Sequence, residues 1–168
     1  MIVRQFIHLM QMLGLIALQV LLLNHVHLFG YATPMIYVAF LLYFPLNASR
    51  IGLLLWGFAT GLIVDVFSNT LGMATASMTL AAMVRPALLN VMVPRDSAID
   101  MVPDYTSMGR ANHARFVALL LIVHHAAFYL LEFFSIHHPR ELLLSFLSGT
   151  ALSLLLILTL ELFRGKRK

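Results

Sequence analysis

Apolar residues gather along this chain into six runs: Phe6 to Leu23, Ala32 to Leu46, Ile51 to Phe67, Leu71 to Met92, Phe116 to Phe134 and Leu142 to Phe163. About 20 helical residues cross the roughly 30 Å hydrocarbon layer of a bilayer, so these runs predict six transmembrane helices joined by short connectors. The second run is bracketed by Thr33-Pro34 and Phe44-Pro45, which predicts a short or tilted helix with Pro34 in its first turn. The first run follows a lone Arg4, contains Gln11, Gln19 and Asn24, and leads into His25-Val-His27 without a small-residue cleavage site. It reads as a retained span, not a signal peptide.

Charge adds sidedness to this pattern. If both termini face the cytoplasm, Arg4, Arg50, Arg85, Arg95, Arg110, Arg115, Arg164, Lys166, Arg167 and Lys168 all lie inside or at inner span ends. Of the 11 Lys and Arg residues, only Arg140 then lies outside. Basic residues near span ends resist translocation, so the expected topology is N-in and C-in. Composition agrees: 61% of residues are hydrophobic and 11% charged, with a mean hydropathy of +0.90. A water-soluble fold of this length could not hide so much apolar surface. The expectation is one all-α integral membrane domain over residues 1–168, with a cytoplasmic connector at 93–115 and a basic cytoplasmic tail at 164–168. That tail suits anionic lipid better than nucleic acid. In the connector, Asp96, Asp100 and Asp104 recur at intervals of four. They form either an interfacial helix broken at Pro103 or a solvated loop.

Within the spans, polar and small residues mark packing faces. Gly57, Gly61 and Asp65 lie one above another on the third run, where glycines allow close backbone approach and lead to a carboxylate. Asp65 either faces the bundle, a cavity or the outer interface as a functional group, or satisfies donors of the following turn and helix. Ser145, Gly149 and Ser153 repeat the spacing on the last run, extending back to Glu141, and His8, Gln11, Leu15 and Gln19 share a face of the first. These read as helix-packing seams. His125, Tyr129 and Glu132 align on one face of the fifth run, as either a proton relay or a packing contact.

Neither metal binding nor catalysis is expected. His25, His27, His137 and His138 sit in outer loops, but adjacent histidines diverge and no acidic pair completes a ligand set, so no metal is expected. Cysteine is absent, which excludes disulfides and a thiol nucleophile. Nucleophile elbows, phosphate loops and metalloprotease motifs are missing too, so neither an enzyme nor a cofactor is expected.

The segment Gly57-Phe-Ala-Thr-Gly61-Leu-Ile-Val-Asp65-Val-Phe-Ser-Asn-Thr-Leu71-Gly72 resembles the signature stretch of the rod shape-determining MreD family. There, a glycine-rich third span runs into an Asp, a short outer turn and a Leu-Gly that opens the fourth. Thr70 stands where family members often carry proline. Length, six spans and a basic C-terminus are similar as well. The resemblance implies a non-catalytic scaffold in the bacterial inner membrane, part of the elongasome that directs lateral peptidoglycan synthesis. Its implied partners are the transmembrane helix of MreC and, indirectly, MreB, RodA and a class B penicillin-binding protein. The implied fold is similar to the substrate-binding subunit of energy-coupling-factor transporters. A membrane substrate-binding subunit of a vitamin-type transporter is therefore the alternative; it would present a polar or aromatic outer pocket and an alanine seam, here Ala81 and Ala82. An unrelated proton-coupled carrier would rest on Asp65, His125 and Glu132.

Overall fold

The computed structural model describes residues 2–25, 33–70, 72–94, 97–132 and 139–165. Five α-helices surround a short 3-10 helix: α1 (Ile2–Leu21), the 3-10 helix (Ile36–Tyr43), α2 (Arg50–Ser68), α3 (Met73–Met92), α4 (Arg110–Glu132) and α5 (Pro139–Gly165). A single 3-10 turn at Leu23–His25 follows α1. The protein is all-helical, and α1, α2, α4 and α5 are each long and apolar enough to cross a membrane. Their outer faces suit lipid. On α2, Ile51, Leu55, Phe58, Leu62 and Val66 are exposed at helical spacing, while Leu53, Gly57, Thr60, Gly61, Val64 and Asp65 turn inward. Polar residues inside and apolar residues outside are the arrangement a bilayer requires.

Side-chain rungs fix the direction of each element. Gln5 meets Trp56 near the starts of α1 and α2, and Asn24 meets Ser68 beyond their ends, so these two helices run parallel. Gly61 lies over Ala74 and Thr75 and Gly57 over Met78 and Ala82, so α3 runs back along α2. Tyr129 with Gly149, His125 with Ser153 and His113 with Glu161 make α4 and α5 antiparallel. One end of the bundle thus carries Arg4, Arg50, Arg110, Arg115 and Arg164, and the opposite end carries Asp65, Glu132, Arg140 and Glu141.

The second apolar run folds differently from the expected short or tilted α-helix. Pro34 precedes the helix instead of occupying its first turn, and Met35 is the cap. At about 2.0 Å per residue, eight 3-10 residues extend about 16 Å, roughly half a hydrocarbon layer. It is apolar all round and contacts all five α-helices, so Ile36 through Leu42 are buried. Its start is held by Gln19, which accepts from the Ile36 amide at 2.8 Å and donates to the Pro34 carbonyl at 2.9 Å. The Ser153 hydroxyl accepts from the Met35 amide at 2.8 Å. Its far end stops at Phe44, which the following Pro45 holds in extended geometry. There the His8 ring stacks on Phe44, with centroids 4.5 Å apart.

Two other places become specific. Arg85 lies inside α3, fully buried at 1% exposure, and donates to the Phe44 carbonyl. That carbonyl closes the 3-10 helix and has no helical partner of its own, so the guanidinium completes it. Together with Pro86 and a run of hydroxyl residues, Arg85 leaves α3 short of the apolarity of the other four long helices. The connector begins at Val93 but ends at Gly109, with Arg110 already helical. Its described residues form turns, not an interfacial helix. Asp104 Oδ1 accepts from the Thr106 and Ser107 amides at 2.9 and 2.7 Å, a local alternative to helix geometry. Leu46 and Asn47 donate to the Met101 and Ile99 carbonyls, pinning the connector to the base of the 3-10 helix. Asp96 lies outside the described residues.

Candidate functional site

The signature segment closes on itself as a hairpin. Gly57 and Gly61 let α2 approach α3: a Cβ at Gly61 would fall 2.5 Å from the Thr75 Cα and 2.6 Å from the Ala74 carbonyl oxygen. At Gly57 it would meet the Ala82 Cβ at 2.9 Å. At the end of α2, Asn69 adopts left-handed geometry and Gly72, also left-handed, is the N-cap of α3. Glycine supplies that backbone freely but offers no side chain to the orphan amides of the first turn. Asp65 supplies the acceptors from the neighbouring helix. Its Oδ1 accepts from the Ala74 amide at 3.0 Å and its Oδ2 from the Thr75 amide at 2.8 Å. The hydroxyls of Thr70 and Thr75 donate to the same carboxylate. Asp65 thus caps both the turn and the next helix, with each oxygen receiving two donors.

Beside this hairpin, at the Asp65 end of the bundle, lies a cavity of about 470 Å³. Gln19 and Asn24 line it from α1 and the turn beyond, Tyr37 from the 3-10 helix, and Val64 and Ser68 from α2. Phe128, Tyr129 and Glu132 come from α4, and Glu141 and Ser145 from α5. Of the aligned trio on the fifth run, His125 and Tyr129 are buried while Glu132 is exposed at the helix end, on the cavity rim. Gln19, Asn24 and Tyr37 are not recognisable as cavity residues from their spacing, because their meeting depends on the central 3-10 helix.

Below the cavity, the small-residue stripe of α5 faces α4. The Tyr129 hydroxyl rests over Gly149, 2.5 Å from where a Cβ would stand. His125 Nδ1 lies 3.0 Å from the Leu121 carbonyl, and Nε2 lies 3.1 Å from the Ser153 hydroxyl. A carbonyl only accepts, so Nδ1 carries the proton. Ser153 then donates to Nε2 while accepting from the Met35 amide, and the set is complete with a neutral ring. His124, not singled out in the sequence, points to α3: Nε2 meets the Ser77 hydroxyl at 3.2 Å. Ser77 already donates to the Met73 carbonyl at 2.7 Å, so His124 is the donor.

At the arginine-rich end, Glu161 lies buried, with Arg164 Nη1 at 3.1 Å and His113 Nε2 at 3.9 Å. The Arg164 guanidinium also lies 4.1 Å above the centre of the Tyr43 ring. Among the described residues, no three His, Asp or Glu side chains come together as a metal would require. His27, His137 and His138, and the side chain of His25, lie outside the described residues. No family model, curated protein or solved structure matches the chain.

Proposed function

We propose that this membrane protein is a non-catalytic scaffold of the MreD type, crossing the bacterial inner membrane six times with both termini inside. In this reading the 3-10 helix with its extended flanks makes the second crossing and α3 the fourth. The observation that carries the proposal is the hairpin of residues 57–72. Its glycines and Asp65 are wholly engaged in joining α2 to α3, which makes a rigid frame. The frame leaves the apolar stripes of α1 and α2 facing outward, where the transmembrane helix of MreC could lie. RodA, MreB and a class B penicillin-binding protein would join through MreC. The transport-subunit reading is favoured by one feature, the cavity between α1, α4 and α5. Against it, Ala81 and Ala82 are buried in the bundle and offer no exposed seam to a transport partner. Co-purification decides between them: capture of MreC from solubilised membranes, with rod shape restored in a depleted strain, is expected. Capture of a transport ATPase module instead would overturn the scaffold reading.

A further inference from the structure

A second cavity, of about 280 Å³, lies at the arginine-rich end, between the first turns of α1 and α2 and the residues 44–49 that join the 3-10 helix to α2. Three kinds of group face it. Arg4 lines it from α1, is exposed, and has no hydrogen bond or ion pair among the described residues. No Asp or Glu is among the lining residues. The positive end of the 19-residue α2 opens on it at Ser49 and Gly52. The Ser49 hydroxyl accepts from the Gly52 amide at 3.1 Å, which leaves the Arg50 and Ile51 amides without intrahelical acceptors. The third group is His8, whose ring stacks on Phe44 and lines the cavity although the residue is only 7% exposed. Its Nδ1 lies 3.3 Å from Gln11 Oε1 and so carries the proton. Nε2, with no partner among the described residues, is left as an acceptor on the cavity wall. A buried polar atom without a partner is an exception that a ligand resolves.

Arg4 and the start of α2 favour an anion, and a guanidinium matches phosphate geometry. His8 Nε2 favours an O–H donor beside that anion. A phosphate ester of a polyol carries both groups, whereas a carboxylate brings no donor and the ammonium of a zwitterionic headgroup would be repelled by Arg4. We propose that this cavity holds the phosphate ester of a polyol, presented either by the headgroup of an anionic phospholipid or by a soluble polyol phosphate. Its volume lies just below the range usual for drug-sized ligands, about 300–1,000 Å³, and suits a group of headgroup size. Trp56 donates to Gln5 at 3.2 Å and ties α1 to α2 across the cavity. Leu9, one turn above Gln5, and Leu55 and Phe58 on α2 are exposed and would carry acyl chains. The site is read on the chain alone, so it stands or falls separately from MreC capture.

The test uses the full-length chain purified in mild detergent. It is incubated with equimolar phosphatidylglycerol, phosphatidylethanolamine and phosphatidylethanol, the last an anion of the same charge without hydroxyls, and retained lipid is read by native mass spectrometry. Phosphatidylglycerol should be retained over both others. Arg4→Gln should weaken its retention roughly tenfold or more, as expected for loss of one charge-assisted phosphate contact. Arg115→Gln, which removes a cation at the same end but outside the cavity, should leave retention unchanged. Asp100 is exposed in the connector, between the Ile99 and Met101 carbonyls that hold Asn47 and Leu46. Adding Asp100→Asn to Arg4→Gln restores net charge and should not restore binding. His8→Phe keeps a ring against Phe44 and should erase the preference for phosphatidylglycerol over phosphatidylethanol. The soluble arm titrates glycerol 3-phosphate by calorimetry. Retained phosphatidylglycerol that Arg4→Gln loses assigns the lipid as the source; saturable glycerol 3-phosphate binding that Arg4→Gln loses, without retained lipid, assigns a soluble ester. No binding in either arm, equal retention of phosphatidylethanolamine, equal loss in Arg115→Gln, rescue by Asp100→Asn, or an undiminished hydroxyl preference in His8→Phe overturns the proposal. Should His8→Phe not purify as a single species, the lipid comparison and the arginine variants decide alone.

Discussion

Two aspartates show how much a side chain's role depends on which of its oxygens are engaged. Asp65 receives two donors on each oxygen, so Asp65→Ala leaves two amides of the first turn of α3 without acceptors. A loss of about 2–3 kcal/mol is expected, read as a lower melting temperature in detergent. A simple cap would tolerate Asp65→Asn because it needs only one acceptor. Here an amide NH2 would point at two donors, so Asn should lose roughly half as much as Ala. Equal stability of Asn and wild type would refute the two-oxygen geometry. Asp104, in the connector, gathers its turn through Oδ1. Burial pushes its carboxyl up, but donors from Thr106 and Ser107 outweigh that and hold it below the ordinary carboxylate range. A depressed folded-state value stabilises the turn fully above the unfolded value of about 3.9 and loses that contribution as pH falls through the folded one. Cleavage of the connector by an acid-tolerant protease should therefore be flat from pH 7 to about 5 and rise only below about pH 4.

Among the elements, the α2–α3 contact predicts an order of severity. A Cβ at Gly61 would meet three backbone atoms of α3 at 2.5–2.8 Å, whereas one at Gly57 would meet the Ala82 Cβ at 2.9 Å and the Met78 carbonyl oxygen at 3.2 Å, a milder clash. Gly61→Ala should destabilise by about 1–3 kcal/mol and Gly57→Ala by clearly less; the reverse order in thermal melts would mean that the helices pack by another register. Gln19→Ala should cost about 1–3 kcal/mol, because it strips both the acceptor of the Ile36 amide and the donor to Pro34. Four of the six apolar runs coincide with α1, α2, α4 and α5, since a lipid-facing helix is apolar over a whole span length and hydropathy registers that directly. The other two runs were apolar for a different reason. Residues 36–42 are hydrophobic on every side because helices surround them, and α3 carries a buried arginine, a proline and several hydroxyl residues among its apolar ones. A count of apolar residues cannot tell burial in protein from burial in lipid. The face of Gly57, Gly61 and Asp65 was legible from spacing alone. The cavity was not, because its wall joins residues as distant as Gln19, Tyr37 and Tyr129.

For the molecule as a whole, sidedness is directly testable because the chain contains no cysteine. A single cysteine at exposed Asn69 should react with an impermeant maleimide added outside intact cells, and one at Thr106 only after the membrane is opened. Labelling of Thr106→Cys from outside would invert the orientation. The cap that Asp65 lends to Gly72 also bears on how the chain enters its membrane. Alone, α3 has a buried Arg85, an internal proline and two first-turn amides, those of Ala74 and Thr75, whose acceptor belongs to α2. It is a poor candidate for independent partitioning into lipid. Once α2 is in place, the same segment finds its missing acceptors and a groove cut to backbone depth. Biogenesis should therefore proceed by pairs, with α3 held at the translocon until α2 can accompany it into the bilayer as one hairpin.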